Sequence, residues 1–154
     1  MKLRTEISPE MYENEEVVII HCRARSEKVK LIESVIENIL AGDTEIVLYI
    51  NDTEFYIPKN DILFFETNNG KISAHTADRI FTTNYKLIEL EHILPPNFVR
   101  VSKSCILNAS KVEAINSNLT GASEVFFRDT KKMIYVSRGY FKLLKKKINE
   151  MRFS

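Results

Sequence analysis

The segment F-V-R-V-S-K-S-C-I-L-N, from Phe98 to Asn108, combines the features of a strand with an unusually polar centre. β-Branched and other apolar residues on both sides favour an extended strand. Between them, Arg100, Ser102, Lys103 and Ser104 place cations and hydroxyls where a buried strand would be apolar. Such groups donate hydrogen bonds to phosphate oxygens and guanine edges. We therefore predict a central strand that either binds an anionic partner or exposes a polar edge to water.

The composition is that of an ordinary globular protein, with 154 residues of which 44% are hydrophobic and 28% charged. Cys22 and Cys105 are far apart and belong to no C-x-x-C motif, so neither a disulfide framework nor a zinc site is indicated. No apolar run is long enough to span a membrane, and the N-terminus lacks the apolar core of a signal peptide. We expect a cytoplasmic protein with reduced thiols and no direct membrane insertion.

Residue types that carry catalysis or bind metal are present but scattered. His21, His75 and His92 lie on separate segments without the spacing of a metal site. There is no Gly-x-Ser-x-Gly, phosphate loop or paired catalytic carboxylate. The sequence predicts neither an enzyme nor a cofactor, and Cys105 is predicted to be a small buried side chain.

The net charge of +1 conceals a strong asymmetry along the chain. Residues 100–154 contain twelve basic and four acidic residues, a net of +8, which leaves ten basic and 17 acidic residues, a net of −7, in residues 1–99. An anionic partner would be attracted to the C-terminal part and repelled by the N-terminal part. The alternative is that the basic residues only form a solvated face.

The first 43 residues are predicted to form a strand–helix extension. An arm over residues 1–14 precedes a β-branched strand from Glu15 to Arg25. Ser26 can cap a helix from Glu27 to Leu40, which Gly42 can terminate. Apolar residues recur along it at helical spacing: Val29, Leu31, Ile32, Val35, Ile36, Ile39 and Leu40. This stripe is expected to pack on the extension's own strands, with dimerisation as the open alternative.

From residue 44 the pattern changes to short apolar segments separated by turn residues. The predicted strands are Thr44–Ile50, Thr53–Pro58, Asp61–Glu66, Lys71–Thr76, Arg79–Thr82, Val112–Asn116, Glu124–Arg128 and Met133–Val136. Asn51-Asp52 and Asn68-Asn69-Gly70 are turn signals. Thr83 or Asn84 can cap a short helix from Tyr85 that ends before Pro95. The expected fold class is therefore mainly β with short helices, α+β overall.

A basic amphipathic helix is predicted at the C-terminus. Ser137 can cap a helix from Arg138 or Gly139 to about Met151. Its apolar face comprises Tyr140, Leu144, Ile148 and Met151, and its exposed lysines are Lys142, Lys145 and Lys146. These lysines could contact phosphates or an anionic membrane surface, or simply face water.

The order of these pieces resembles the LytTR DNA-binding domain over about residues 45–148. The resemblance rests on D-I-L-F-F-E at Asp61–Glu66, the turn T-N-N-G-K, the Phe98–Asn108 segment, K-V-E-A-I at Lys111–Ile115 and M-I-Y-V-S-R-G-Y-F at Met133–Phe141. It implies antiparallel strands in small stacked sheets with one short intervening helix. It also divides the chain into an N-terminal extension, residues 1–43, and a DNA-binding domain, residues 44–154.

The resemblance further implies three points of DNA contact. The first is the turn with Asn68, Asn69 and Lys71. The second is the R-x-x-x-S segment, with Arg100, Ser102, Lys103 and Ser104, and the third is Arg138 in the S-R motif. Many relatives carry His or Arg in place of Ser102, and Arg or Asn in place of Lys103, so base preference is expected to differ. Asn69-Gly70 is equally well explained by turn chemistry alone.

We therefore expect a bacterial-type, sequence-specific transcriptional regulator that binds double-stranded DNA. Its N-terminal part is too short for the receiver domain that many relatives carry, so control is expected to come from elsewhere. The resemblance implies paired DNA repeats, a homodimer at least on DNA, and possible restraint by a membrane-protein inhibitor. The alternative is a β-rich protein-interaction module whose basic face binds an acidic partner.

Overall fold

The computed structural model describes residues 18–40 and 44–153, which contain three α-helices and ten strands. The helices are α1 (Glu27–Leu40), α2 (Leu87–Ile93) and α3 (Arg138–Phe153). The strands are β1 (Glu45–Ile50), β2 (Thr53–Pro58), β3 (Phe64–Asn68), β4 (Lys71–His75), β5 (Ile80–Thr83), β6 (Phe98–Ser102), β7 (Cys105–Asn108), β8 (Val112–Asn116), β9 (Ser123–Phe127) and β10 (Met133–Val136). The expected α+β class, with α2 as the short helix between strands, is confirmed.

The strands form two antiparallel sheets. The larger sheet has seven strands in the order β2-β1-β5-β4-β3-β7-β6, and the smaller has three in the order β10-β9-β8. All pairings are antiparallel. β3 and β7 are neighbours in the large sheet although they lie far apart in sequence. The turns at their adjoining ends therefore lie close together.

Two hydrophobic cores lie on opposite faces of the large sheet. Phe64 and Leu107 belong to the core beneath the small sheet and α3, whereas Phe65 and Ile106 belong to the core beneath α2. Successive strand residues point to opposite faces, so β3 and β7 are buried on both sides. This explains the consecutive apolar residues Phe64-Phe65 in β3 and Cys105-Ile106-Leu107 in β7. The predicted inward face of α3 is confirmed, since Leu144 and Ile148 are buried and Tyr140 and Met151 pack against the same core.

The interpretation of Phe98–Asn108 as one strand is wrong, because the structure divides it into a hairpin. β6 and β7 pair with each other, with Ser102 opposite Cys105 and Lys103 and Ser104 forming the tip. Val101 and Cys105 are buried on either side of this tip. The polar residues between them are therefore exposed at a hairpin turn and not along the edge of one continuous strand.

The N-terminal extension is only partly as predicted. α1 has the expected bounds, and Oγ of Ser26 accepts a hydrogen bond from the amide of Val29 at 3.3 Å. The predicted strand over residues 15–25 is wrong for residues 18–25, which form no strand, because an extended segment needs a partner for its backbone groups. The rest of that prediction, the arm and Gly42 lie outside the described residues.

Among the described residues α1 lies against α3, and its expected packing on the arm and strand before residue 18 lies outside the described residues. Val29 is buried, and Leu31 lines a small cleft that it shares with Lys147 and Met151 of α3. Val35 and Ile39 remain 42% and 58% exposed. The apolar stripe of α1 is therefore only partly covered within the described chain.

Several predicted boundaries shift by a few residues, and local hydrogen bonding and turn formation explain two of these shifts. α2 begins at Leu87, where the amide of Lys86 donates to Oε2 of Glu89 at 2.7 Å. Thr83 instead accepts from the amide of Tyr85, before the helix. β3 begins at Phe64 because residues 59–61 form a 3-10 turn.

Candidate nucleic-acid interface

The β3–β4 turn is built by two residues in the left-handed conformation. Asn69 has φ 50° and Gly70 has φ 76°, and Asn68 pairs with Lys71 across the turn. These are the requirements of a two-residue type I′ hairpin turn, in which Asn-Gly is the preferred sequence. Turn chemistry therefore explains the identity of Gly70, while the side chains of Asn68, Asn69 and Lys71 remain exposed to a partner.

The β6–β7 tip presents one cation between two hydroxyls. The amide of Ser104 donates to Oγ of Ser102 at 3.1 Å, and the two hydroxyl oxygens lie 3.4 Å apart. Lys103 and Ser104 are exposed, and Ser102 is half-buried. The Lys103 side chain therefore extends from a compact turn whose hydroxyls remain at its surface.

Backbone hydrogen bonds place the three predicted contact points side by side. The amide of Thr67, just before the β3–β4 turn, donates to the carbonyl of Ser104 at 2.8 Å. The amide of Ser137 donates to the carbonyl of Val101 at 3.2 Å, which brings the start of α3 next to the β6–β7 tip. We call the residues Asn68–Lys71, Ser102–Ser104 and Arg138 the three-turn surface.

The three-turn surface carries cations that are available to an external anion. Among the described residues, the side chains of Lys71, Lys103 and Arg138 have no hydrogen-bond or ion-pair partner, and all three are exposed. By contrast, Nζ of Lys132 donates to the carbonyls of Thr76 and Arg79, and Lys146 and Lys147 lie 3.8 Å from the carboxylate of Glu150. Some of the positive charge elsewhere is thus engaged within the protein, whereas Lys142 and Lys145 of α3 are also exposed and have no side-chain partner among the described residues.

Arg100, also predicted as a contact residue, is held within the protein. Its Nε donates to the carbonyl of Ser102 at 2.7 Å, and its Nη2 donates to the carbonyl of Lys103. Its Nη1 lies 3.2 Å from Oε2 of Glu91 on α2. No local sequence pattern connects Glu91, a helix residue, with the tip of a later hairpin, so only the tertiary structure reveals this contact.

Two buried titratable groups interact with Glu66 of β3. His75 stacks on Phe64 at 4.2 Å, and its Nε2 lies 3.0 Å from Oε1 of Glu66 without a hydrogen bond aligned between them. Burial lowers the pKa of His75, while the charge of Glu66 opposes this shift. Burial raises the pKa of the Cys105 thiol to about 12, with a smaller contribution from Glu66. Cys105 is buried, as predicted.

The described residues contain no group of His, Cys, Asp and Glu side chains that could hold a metal ion. Nor do they contain a helix that is long and apolar enough to cross a membrane.

Comparisons with known proteins match most of this chain. The family model of the LytTr DNA-binding domain matches residues 52–149. An HTH-type transcriptional regulator of Staphylococcus aureus strain NCTC 8325, described as uncharacterised, is 29% identical over 137 residues, covering 89% of this chain and 92% of the relative. A counterpart in strain MRSA252 is 28% identical over the same length.

A solved structure shares the fold. It is the LytTr DNA-binding domain of a methyl-accepting/DNA response regulator from Bacillus cereus. The two structures superpose with a TM-score of 0.63 at 22% sequence identity, covering 68% of this chain and 96% of the other.

Proposed function

Because the chain belongs to the LytTr DNA-binding domain family, we propose that it is a cytoplasmic bacterial transcriptional regulator that binds duplex DNA through the three-turn surface. The observation that carries this proposal is the convergence of three separate segments at one end of the fold, each with an exposed and unpaired cation. Phosphate contacts position a protein on DNA, and base contacts in the grooves specify the sequence.

Lys103 and Arg138 are the residues that we propose to read bases. Lys103 extends from a narrow hairpin tip that fits a groove, and a lysine can donate to O6 and N7 of guanine. Arg138 can donate two parallel hydrogen bonds to the same edge. Asn68, Asn69 and Lys71 on one side, and the hydroxyls of Ser102 and Ser104, are proposed to contact the backbone or neighbouring bases.

A salt titration tests whether DNA binding is the main function. If about five phosphates are neutralised, the plot of log K against log salt has a slope of roughly −4 to −5. Titrations on a random duplex between low and moderate salt measure this slope. A slope near zero would exclude DNA binding as the main function and favour an acidic protein partner.

Paired titrations on preferred and scrambled duplexes separate base reading from positioning. We expect Lys103→Ala and Arg138→Ala to weaken binding to the preferred duplex more than to the scrambled one, by about 1 to 3 kcal/mol of discrimination per base contact. Lys145→Ala, which removes an exposed lysine of α3, is expected to weaken both about equally. Equal losses on both duplexes for Lys103 and Arg138 would assign them to the backbone.

The N-terminal extension, residues 1–43, is proposed to support pairing of two copies on repeated DNA sites. Val35 and Ile39 form an exposed apolar patch on α1 that a second copy can cover. The double substitution Val35→Gln with Ile39→Gln is expected to weaken binding to two adjacent repeats while binding to one repeat stays unchanged. Unchanged pairing in this variant would show that the patch does not hold the two copies together.

A further inference from the structure

We propose that Arg100 is a positioning residue that fixes the β6–β7 tip, and that Glu91 on α2 holds Arg100 in place. The inference rests on the proposed function of the three-turn surface and assigns Arg100 a role other than DNA contact. It makes α2, which lies on the opposite face from the small sheet, part of the DNA-reading apparatus.

The geometry accounts for every nitrogen of one guanidinium group. Nε and Nη2 donate to the carbonyls of Ser102 and Lys103, the two consecutive residues at the turn of the chain. Nη1 lies 3.2 Å from the Glu91 carboxylate, and the Arg100 side chain is 22% exposed. The planar fork of arginine suits this arrangement because its N–H groups point in fixed directions.

The tip needs such a clamp because strand pairing is interrupted just before it. The β6–β7 register shifts between Arg100 and Ser102, so the strand ladder does not continue regularly into the turn. Val101, at the shift, instead uses its carbonyl to accept from the amide of Ser137. Beyond the shift, the Arg100 side chain holds the tip by donating to the carbonyls of Ser102 and Lys103.

A fixed tip matters because a base contact depends on the position of the backbone that carries the contacting side chain. Lys103 carries a long flexible stem, so an ordered backbone at its root reduces the conformational entropy lost when it binds. Glu91 also balances the charge of Arg100 close to the surface. Together these contacts predict that Arg100 contributes to discrimination between sequences and not to the general attraction for DNA.

Three substitutions separate positioning from direct contact. Arg100→Met removes the charge and the donors, Arg100→Lys keeps the charge without the fork, and Glu91→Gln removes only the anchoring charge. We expect both Arg100 variants to lower the ratio of affinities for preferred and scrambled duplexes by about fivefold or more, the range of one base contact. The salt slope on the scrambled duplex should stay unchanged, and Glu91→Gln should give a smaller loss in the same direction.

A direct phosphate contact would produce the opposite pattern. Arg100→Met would then weaken both duplexes equally and reduce the salt slope by about one, whereas Arg100→Lys would restore both. That result would overturn the inference. A Glu91→Gln effect that adds fully to that of Arg100→Met in the double variant would overturn the coupling to α2, because residues acting through one contact are not additive.

An NMR measurement without DNA decides the positioning role independently of the proposed function. Backbone order parameters of Lys103 and Ser104 should be near the rigid value of about 0.85 in the native protein and should fall in Arg100→Met and Arg100→Lys. Lys103→Met is the matched control, since it removes the exposed cation but leaves the clamp, so the tip should stay ordered. Unchanged order in both Arg100 variants would refute the clamp, whereas a fall in order without DNA binding by the native protein would refute only the proposed function.

Discussion

Asn108 is predicted to be the polar side chain whose loss most destabilises this fold. It is fully buried at the base of the β6–β7 hairpin. Its Nδ2 donates to the carbonyl of Ile62 at 3.1 Å, and its Oδ1 accepts from Nδ2 of Asn97 at 2.7 Å and from the amide and hydroxyl of Ser110 at 3.1 and 2.6 Å. With a net value of about 1 kcal/mol for each of these four hydrogen bonds, Asn108→Ala should lower the free energy of unfolding by about 4 kcal/mol.

Urea unfolding followed by circular dichroism measures this change. A loss of about 4 kcal/mol is a large fraction of the 5 to 15 kcal/mol that is typical of a domain, so the midpoint should shift clearly. Asn116→Ala is the matched control, because Nδ2 of Asn116 donates to Glu124 on the exposed surface, and its effect should stay within about 0.5 kcal/mol. A loss below about 1 kcal/mol for Asn108→Ala would refute the assignment of Asn108 as a structural hub.

Three further outcomes are expected. A thiol reagent should label only Cys22 in the folded protein, because Cys105 is buried and its pKa is raised to about 12; two labelled thiols per folded chain would contradict this, and two are expected in denaturant. Burial lowers the pKa of His75, so the unfolded chain gains a proton near its ordinary pKa of about 6.5 before the native protein does. The free energy of unfolding should therefore fall as pH drops from about 7 to 5, and His75→Gln should flatten that dependence. Gly70→Ala should lower stability by about 1 kcal/mol through its φ of 76° alone, because no atom lies within 4 Å of the added Cβ; no change in the urea midpoint would show that the turn relaxes.

Local sequence signals were sufficient to predict the bounds of an element whose start and end depend only on its own residues. α1 has the predicted bounds because the Ser26 cap and the helical spacing of apolar residues lie within one segment. β2, β8 and β10 also match their predicted bounds, since turn residues flank short runs of apolar side chains. The family resemblance, based on the order of such segments, is confirmed by the match over residues 52–149.

Elements whose identity depends on a distant partner were decided by tertiary structure. The Phe98–Asn108 segment became a hairpin because β7 pairs with β3, and residues 18–25 remained unpaired although their β-branched content favoured a strand. The composition of a segment measures its preference for an extended backbone, but a strand exists only where another strand accepts its hydrogen bonds.

For the candidate site, too, some features follow from local sequence and others only from tertiary structure. Exposed residue types at Lys71, Lys103 and Arg138 could be selected from the sequence, because turn signals and polar interruptions mark them as surface positions. Their convergence required the hydrogen bonds from Thr67 to Ser104 and from Ser137 to Val101. Sequence alone therefore identified candidate residues for binding an anion, Arg100 among them. Only the tertiary structure decided that Arg100 is enclosed by Glu91 and the tip carbonyls, because those contacts join segments whose proximity no local pattern encodes.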